Sequence, residues 1–197
     1  DLLSVDSMRI WPERWDIPFN GGNTDKNISA YDHIHAPWGS NHQTSLRVFE
    51  QNDFISGMFV WTGFDYLGEP TPYLWPARSS YFGIVDLAGY PKDVYYLYQS
   101  VWSDKTVLHI LPHWNWKQND HVDVVVYFNQ ADRVDLYLNN RKIGEQFKSV
   151  DRYDAVFKGI PFESGELKAI SYLHGKEVKT CTVVTAKPAY KIKLTLE

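Results

Sequence analysis

The segment from about residue 105 to 185 constrains the fold most strongly, because its pattern predicts seven short strands separated by turns. The predicted strands are 107–111, 121–128, 133–138, 141–146, 155–162, 165–173 and 177–185. Asn139-Asn140 and Gly175 are typical of tight hairpin turns, since asparagine and glycine tolerate positive φ. So many short strands over about eighty residues predict an immunoglobulin-like β-sandwich. Cys181 is the single cysteine, so this sandwich has no internal disulfide.

A second feature is the apolar run at 54–61, which continues into a loop at 62–80. The run has the length and content of a strand buried on both faces. The loop carries Asp65 and Glu69 among aromatic side chains. A buried strand that ends in such a loop suits a barrel or an α/β sheet with its site at the carboxyl ends of the strands. A core strand followed by an ordinary Pro/Gly loop is the alternative.

Helices are predicted on both sides of this run. Ser40 or Asn41 is a typical cap for a helix that ends near residue 51. Pro91 suits the first position of a helix whose apolar stripe lies at 94, 97, 98 and 101. A short helix is also predicted over about residues 24–33. The order helix, strand, helix is typical of the end of a (β/α) barrel.

Charge and composition narrow the function classes. The formal net charge of −4 and the lack of a basic cluster argue against nucleic acid as a partner. No apolar stretch approaches the roughly 20 residues that span a bilayer, so no membrane partner is predicted. His33 and His35 lie close in sequence, but a zinc site needs three or four ligands, and none is predicted. The aromatic content of 16% serves core packing and also suits sugar stacking.

Several stretches of the chain resemble one known family. They are RIWPERWD at 9–16, YDHIHAPWG at 31–39, FVWTGFDY at 59–66, GEPTPY at 68–73, WPARSSYFGIVD at 75–86 and PKD at 91–93. Together they resemble family 2 glycoside hydrolases, and among these the β-galactosidase-like enzymes of Bacteroidota. The run at 59–66 resembles the last strand of the catalytic barrel of that family.

The resemblance implies an α/β part followed by an all-β part. Residues 1–103 would form the C-terminal portion of a (β/α)8 TIM barrel, 104–186 the immunoglobulin-like β-sandwich that follows it, and 187–197 a linker or the start of a further strand. The start at Asp1 without a methionine suggests a longer polypeptide. Retaining glycosidases use two carboxyl groups about 5 Å apart. In the family both are glutamates on earlier strands, expected upstream of Asp1, so this chain alone is predicted to be inactive.

The resemblance also implies a sugar-binding role for the end of this strand. It makes Trp61 the floor of the subsite that holds the terminal sugar, with a core-filling tryptophan as the alternative. Asp65 and Trp75 are further candidates for substrate binding. Asp65 and Glu69 have no enforced geometry in their loop, and neither is predicted to be catalytic. Weaker candidates for the rim of the site are Tyr73, Trp38 and His35.

The expected partner is a terminal β-galactoside or a related sugar, and no cofactor or metal is expected. The incomplete barrel suggests self-association, and the resemblance suggests a periplasmic or secreted protein. Two rival readings remain open. One is a non-catalytic carbohydrate-binding or scaffolding module built on the sandwich, and the other is a purely structural region. Trp114 and Trp116 would present their rings to a glycan in the first, although packing between the two domains is the preferred expectation.

Overall fold

The computed structural model of the chain describes residues 40–70, 78–80 and 82–188. Within these residues the helices are α1 His42–Glu50 and α2 Asp93–Trp102. The strands are β1 Leu108–Leu111, β2 His121–Phe128, β3 Arg133–Leu138, β4 Arg141–Phe147, β5 Asp154–Pro161, β6 Glu166–Leu173 and β7 Lys176–Val184. They form two antiparallel sheets with the orders β1-β2-β5 and β4-β3-β6-β7. Neither helix is long and apolar enough to cross a bilayer.

The predicted two-sheet sandwich is confirmed, and the ends of its seven strands lie within one residue of the predicted ends. Turn chemistry explains this agreement. Asn139 and Asn140 join β3 to β4 with φ values of 49° and 64°. His174 and Gly175 join β6 to β7 with φ values of 51° and 78°. Both pairs have the positive φ that a two-residue hairpin turn needs, so the turns fix the register of the strands.

The sandwich core lies between the inner faces of the two sheets. Alternate residues of β2 and β3 supply much of it, namely Val122, Val124, Val126, Phe128, Val134, Leu136 and Leu138. Trp114 is fully buried in the same cluster, and its Nε1 donates to the backbone oxygen of Glu163 at 3.0 Å. Trp116 packs against this cluster as well. The expectation of packing between two domains is therefore wrong for Trp114, which lies inside the sandwich core, whereas Trp116 is partly buried against the same core.

A second apolar cluster joins the helices to the outer face of the β1-β2-β5 sheet. Its buried members are Leu46, Val94, Leu97, Tyr98, Leu111, Val125 and Tyr127. Polar contacts reinforce this interface. Gln43 Nε2 donates to Asp154 Oδ2 at 2.9 Å, and His109 Nε2 lies 2.6 Å from Asp93 Oδ1. Strand β2 is thus buried on both faces, which explains why seven of its eight residues are buried.

The helix boundaries follow from local hydrogen bonds. Asn41 caps α1, since its side chain accepts from the backbone N–H of Thr44 at 2.8 Å, as predicted. Helix α2 begins two residues later than predicted. Lys92 N donates to the oxygen of Ile84 at 2.9 Å, and Pro91 forms a bridge with residue 85. These contacts hold residues 91–92 extended, so Pro91 precedes the helix and is not its first residue.

The prediction of a buried strand at 54–61 is wrong for the described structure. These residues belong to no strand, and the side chains of Phe54 and Phe59 are exposed. A strand buried on both faces needs a neighbour at each edge. In the described part of residues 1–103, the nearest parallel pairing is the bridge between Phe64 and Val85. The helices and this bridge do not assemble a barrel among the residues described.

Candidate functional site

The residues before Trp61 alternate between two faces. Met58 and Val60 pack against the helix cluster, whereas Phe59 and Trp61 are exposed. This is the period of an extended chain, in which successive side chains point to opposite faces. Trp61 is 72% exposed, so its indole lies on the open face and is not part of a closed apolar interior. An exposed indole on a fixed backbone is the kind of surface on which a pyranose can stack.

The backbone after Trp61 is fixed by parallel pairing with residues 82–85. Thr62 N donates to Phe82 O at 3.1 Å, and Thr62 O accepts from Ile84 N at 3.0 Å. The next bonds join Val85 N to Gly63 O at 3.1 Å and residue 65 N to Val85 O at 2.9 Å. The peptide between residues 61 and 62 is cis. The indole therefore projects from a short two-stranded parallel element.

Asp65, one of the predicted substrate-binding residues, is buried beneath this element. Its carboxylate lies 2.9 Å from Lys92 Nζ and accepts a 2.7 Å hydrogen bond from the backbone N–H of Gly83. Gly83 is required here, because a Cβ would lie 2.2 Å from Asp65 N. Sequence reasoning missed Lys92 and Gly83, since their roles arise only when residues 62–65 and 82–92 meet in space. The contacts of Asp65 give its carboxylate a clear structural task.

Tyr66 and Glu69 lie beside the indole. The Tyr66 ring is edge-on to Trp61, with ring centroids 6.2 Å apart and an interplanar angle of 87°. The Tyr66 hydroxyl donates to the Glu69 carboxylate. This bond raises the pKa of Tyr66, as does desolvation, while a hydrogen bond with the Trp61 side chain acts in the opposite direction. The backbone of Tyr66 is tied to buried Ser80, whose N–H donates to the Tyr66 oxygen at 2.8 Å.

Trp75 lies outside the described residues, as do Tyr73, Trp38 and His35. In the part of the chain that is described, no group of three or more His, Cys, Asp or Glu side chains is arranged to hold a metal ion. Among the described residues, the exposed ring of Trp61 can stack on an apolar face, and Tyr66 and Glu69 can form hydrogen bonds.

The rings on the outer face of the four-stranded sheet have a different environment. The guanidinium of Arg133 lies 4.6 Å from the ring centroid of Tyr172, and Lys168 Nζ lies 5.8 Å from that of Tyr137. Both tyrosines are only partly exposed. A cation over each ring leaves less of its face open to a sugar. This part of the sandwich thus offers a less accessible stacking surface than Trp61 does.

The chain is similar to known proteins over nearly its whole length. It is 52% identical to a β-galactosidase of Bacteroides ovatus over 193 residues, which is 98% of this chain and 22% of that protein. It is 29% identical over 113 residues to a β-glucuronidase of Formosa agariphila, covering 57% of this chain and 11% of the relative. The chain therefore spans about a fifth of the length of the first of these curated relatives. A domain family described as a domain of unknown function, DUF4982, matches residues 119–179.

Solved structures give the same picture. A β-glycosidase from Bacteroides vulgatus matches with a TM-score of 0.73 and 33% identity, over 90% of this chain and 21% of that chain. A member of glycosyl hydrolase family 2 from Bacteroides cellulosilyticus matches with a TM-score of 0.65 and 30% identity, over 78% of this chain and 22% of that chain. The resemblance found in the sequence motifs is therefore confirmed.

Proposed function

Because the chain belongs to family 2 of the glycoside hydrolases, we propose that it is the part of a retaining, β-galactosidase-like enzyme that completes the catalytic barrel and adds a β-sandwich. The enzyme would hydrolyse terminal β-galactosides or a related sugar. The similarity to a β-galactosidase over 98% of this chain supports this substrate class. The α1, α2 and 62–85 elements would belong to the barrel, and the seven strands would form the immunoglobulin-like domain after it.

The exposed indole of Trp61 is the single observation that carries this proposal. A pyranose has an apolar C–H face, and stacking on an aromatic ring removes both surfaces from water. The parallel pairing of residues 62–65 with 82–85 fixes the backbone beneath the ring, so little conformational entropy is lost on binding. Trp61 therefore serves as a wall of the subsite for the terminal sugar. Trp75 is proposed as a second wall by the family resemblance alone.

In this proposal Asp65 holds the Trp61 indole in place and does not contact the sugar. Its carboxylate is occupied by Lys92 and by the N–H of Gly83, beneath the element that carries Trp61. It therefore acts on the sugar by fixing the indole. A retaining mechanism needs a nucleophile and an acid/base about 5 Å apart. We assign these roles to glutamates elsewhere in the enzyme, so the isolated 197-residue chain is expected to show no turnover of a chromogenic galactoside.

The exposed Phe59 face has a place in the same scheme. Met58 and Val60 on the other face pack against the helices, so the face with Phe59 would point to the interior of a barrel. In the enzyme, the remaining barrel strands would cover it. Without them, the isolated chain is expected to self-associate through this apolar surface. A strictly monomeric chain in sedimentation velocity at high concentration would contradict that expectation.

The proposal is tested in the enzyme that carries this segment by replacing Trp61 with alanine. Loss of a stacking indole should cost roughly 2–3 kcal/mol of binding, or about 30-fold to 150-fold in kcat/KM for a nitrophenyl β-galactoside. Trp61→Phe should retain part of the activity, because a smaller ring still stacks. Trp102→Ala is the matched control, since Trp102 is a half-exposed tryptophan at the end of α2. Equal activity of Trp61→Ala and the control would refute the role of Trp61.

A further inference from the structure

We propose that Glu69, held beside the Trp61 indole by Tyr66, is a specificity-determining residue that favours a neutral terminal sugar over a uronic acid. The inference rests on the proposed function, in which Trp61 carries the sugar ring. The relatives described above include a β-galactosidase and a β-glucuronidase. The charge of the terminal sugar therefore distinguishes the substrates named for these relatives, and side chains in the loop after Trp61 are placed to discriminate between them.

Three side chains form a continuous unit on the surface of this loop. The Tyr66 ring meets the Trp61 indole edge-on, and the hydroxyl of that tyrosine donates to the carboxylate of Glu69. Trp61 and Glu69 are both exposed. A sugar stacked on the indole would therefore have a carboxylate as a neighbour, separated from the ring of Trp61 by one tyrosine side chain.

The backbone holds Glu69 in this place. Residues 66–68 pair with residues 78–80, through bonds from Ser80 N to Tyr66 O at 2.8 Å and from Gly68 N to Arg78 O at 2.7 Å. The chain then turns at Gly68 and Glu69, with φ values of 87° and 43°. This left-handed turn brings the glutamate side chain back to the tyrosine three residues earlier. The carboxylate is thus a fixed feature of the loop.

The local charge decides which sugars this carboxylate favours. The charged side chains of residues 57–70 and 78–80 are Asp65, Glu69 and Arg78. Asp65 is buried and paired with Lys92, so its charge is compensated. Glu69 is exposed, and its carboxylate accepts from the Tyr66 hydroxyl. The same carboxylate can accept a hydrogen bond from a sugar hydroxyl. It would repel the carboxylate of a uronic acid, and the repulsion is little screened at low salt over distances shorter than the Debye length.

The test compares galactose with galacturonate, which share their ring stereochemistry and differ in the charge at C6. Both are used as competitive inhibitors of nitrophenyl β-galactoside hydrolysis by the enzyme that carries this segment. Glu69→Gln keeps an acceptor for the Tyr66 hydroxyl and removes the negative charge. We expect it to improve inhibition by galacturonate relative to galactose roughly fivefold in dilute buffer, the size expected for carboxylates about 8 Å apart near a surface. In about 0.5 M salt the gain should fall below about twofold.

A matched control separates a local effect from a change in net charge. Glu177 lies in β7 and accepts a hydrogen bond from the hydroxyl of Thr180, three residues away, at 2.8 Å. Glu177→Gln therefore removes the same charge and leaves a similar hydroxyl contact. It should leave the ratio of the two inhibition constants unchanged.

The outcomes distinguish this inference from the proposed function. If Trp61→Ala lowers turnover but Glu69→Gln leaves the inhibition ratio unchanged at low salt, the role of Glu69 is wrong and the function stands. An equal shift for Glu177→Gln, or a shift that high salt does not reduce, would also overturn the role of Glu69. If the enzyme hydrolyses no galactoside, or Trp61→Ala has no effect, the proposed function itself fails.

Discussion

Replacing Lys92 with methionine tests whether the buried ion pair with Asp65 holds the loop that carries Trp61. The side chains of the two residues are 11% and 6% exposed, and their charged atoms lie 2.9 Å apart. Methionine keeps most of the apolar stem of lysine and removes the charge. The Asp65 carboxylate would keep the N–H of Gly83 as a donor but lose its countercharge. An uncompensated buried carboxylate costs about 3–5 kcal/mol.

Because the pair lies in the loop region and not in the sandwich core, we expect this cost as local opening. Amide hydrogen exchange of peptides from 62–85 reports local opening directly. A loss of about 3 kcal/mol corresponds to roughly a 150-fold drop in protection. The backbone N–H of residue 65, which donates to Val85 O at 2.9 Å, is a sensitive position. Peptides from β2 and β3 should keep their protection.

Two further variants test whether the effect of Lys92→Met comes from the buried charge of Asp65. Asp65→Asn in the Lys92→Met background removes the buried charge and keeps an acceptor for Gly83, so it should restore at least 1 kcal/mol of the lost local stability. Arg141→Met is the control, since its ion pair with Glu163 is exposed on both sides and should be worth less than about 1 kcal/mol. If Lys92→Met changes exchange in 62–85 no more than the control does, the pair does not hold the loop.

Two other perturbations test the same framework. Gly83→Ala should disrupt the 62–65 pairing more than Lys92→Met does, because the new Cβ would lie 2.2–2.5 Å from backbone atoms. We therefore expect limited proteolysis to cut the segment after residue 57 faster in this variant. An unchanged cleavage rate would contradict this expectation. Burial lowers the pKa of His42 to about 4 in the folded chain, compared with its ordinary value of 6.5. Between these two pH values the imidazole is protonated in the unfolded chain and neutral in the folded chain. Stability should therefore fall as the pH drops from 7 to 5, with about 2 kcal/mol of the loss due to this residue. His42→Gln should remove that part of the pH dependence in urea titrations, and an unaltered slope would show that His42 does not cause it.

The sandwich was predictable because its signals are local. Alternation in β2 and β3, and turn residues such as Asn139 and Gly175, specify strand and hairpin within a few positions. The cap at Asn41 is equally local. Trp114 was assigned to the wrong interface. Its sequence neighbours do not indicate which of the two apolar faces of the β1-β2-β5 sheet it packs against. That sheet is covered by the other sheet on one side and by α1 and α2 on the other, which no periodicity encodes.

The candidate site was predictable only in part. The run at 54–61 and Trp61 stand out by composition, and the family resemblance attached a sugar to the tryptophan. The strand itself failed as a prediction, since a parallel strand is defined by neighbours that are distant in sequence. Lys92 and Gly83 escaped notice for the same reason. Their functions depend on residues 62–65 meeting residues 82–92, and nothing within either segment indicates this meeting.

The position of Trp61 therefore depends on two successive layers of support. The β1-β2-β5 sheet holds α1 and α2 through the cluster that contains Leu97 and Tyr127, and that cluster packs against Met58 and Val60. Helix α2 also begins immediately after Lys92, which anchors Asp65 from the adjacent turn. The sandwich is thus mechanically connected to the indole, although its own surface offers less accessible rings. Through α1 and α2, the sandwich supports the extended segment 58–61 that carries the indole.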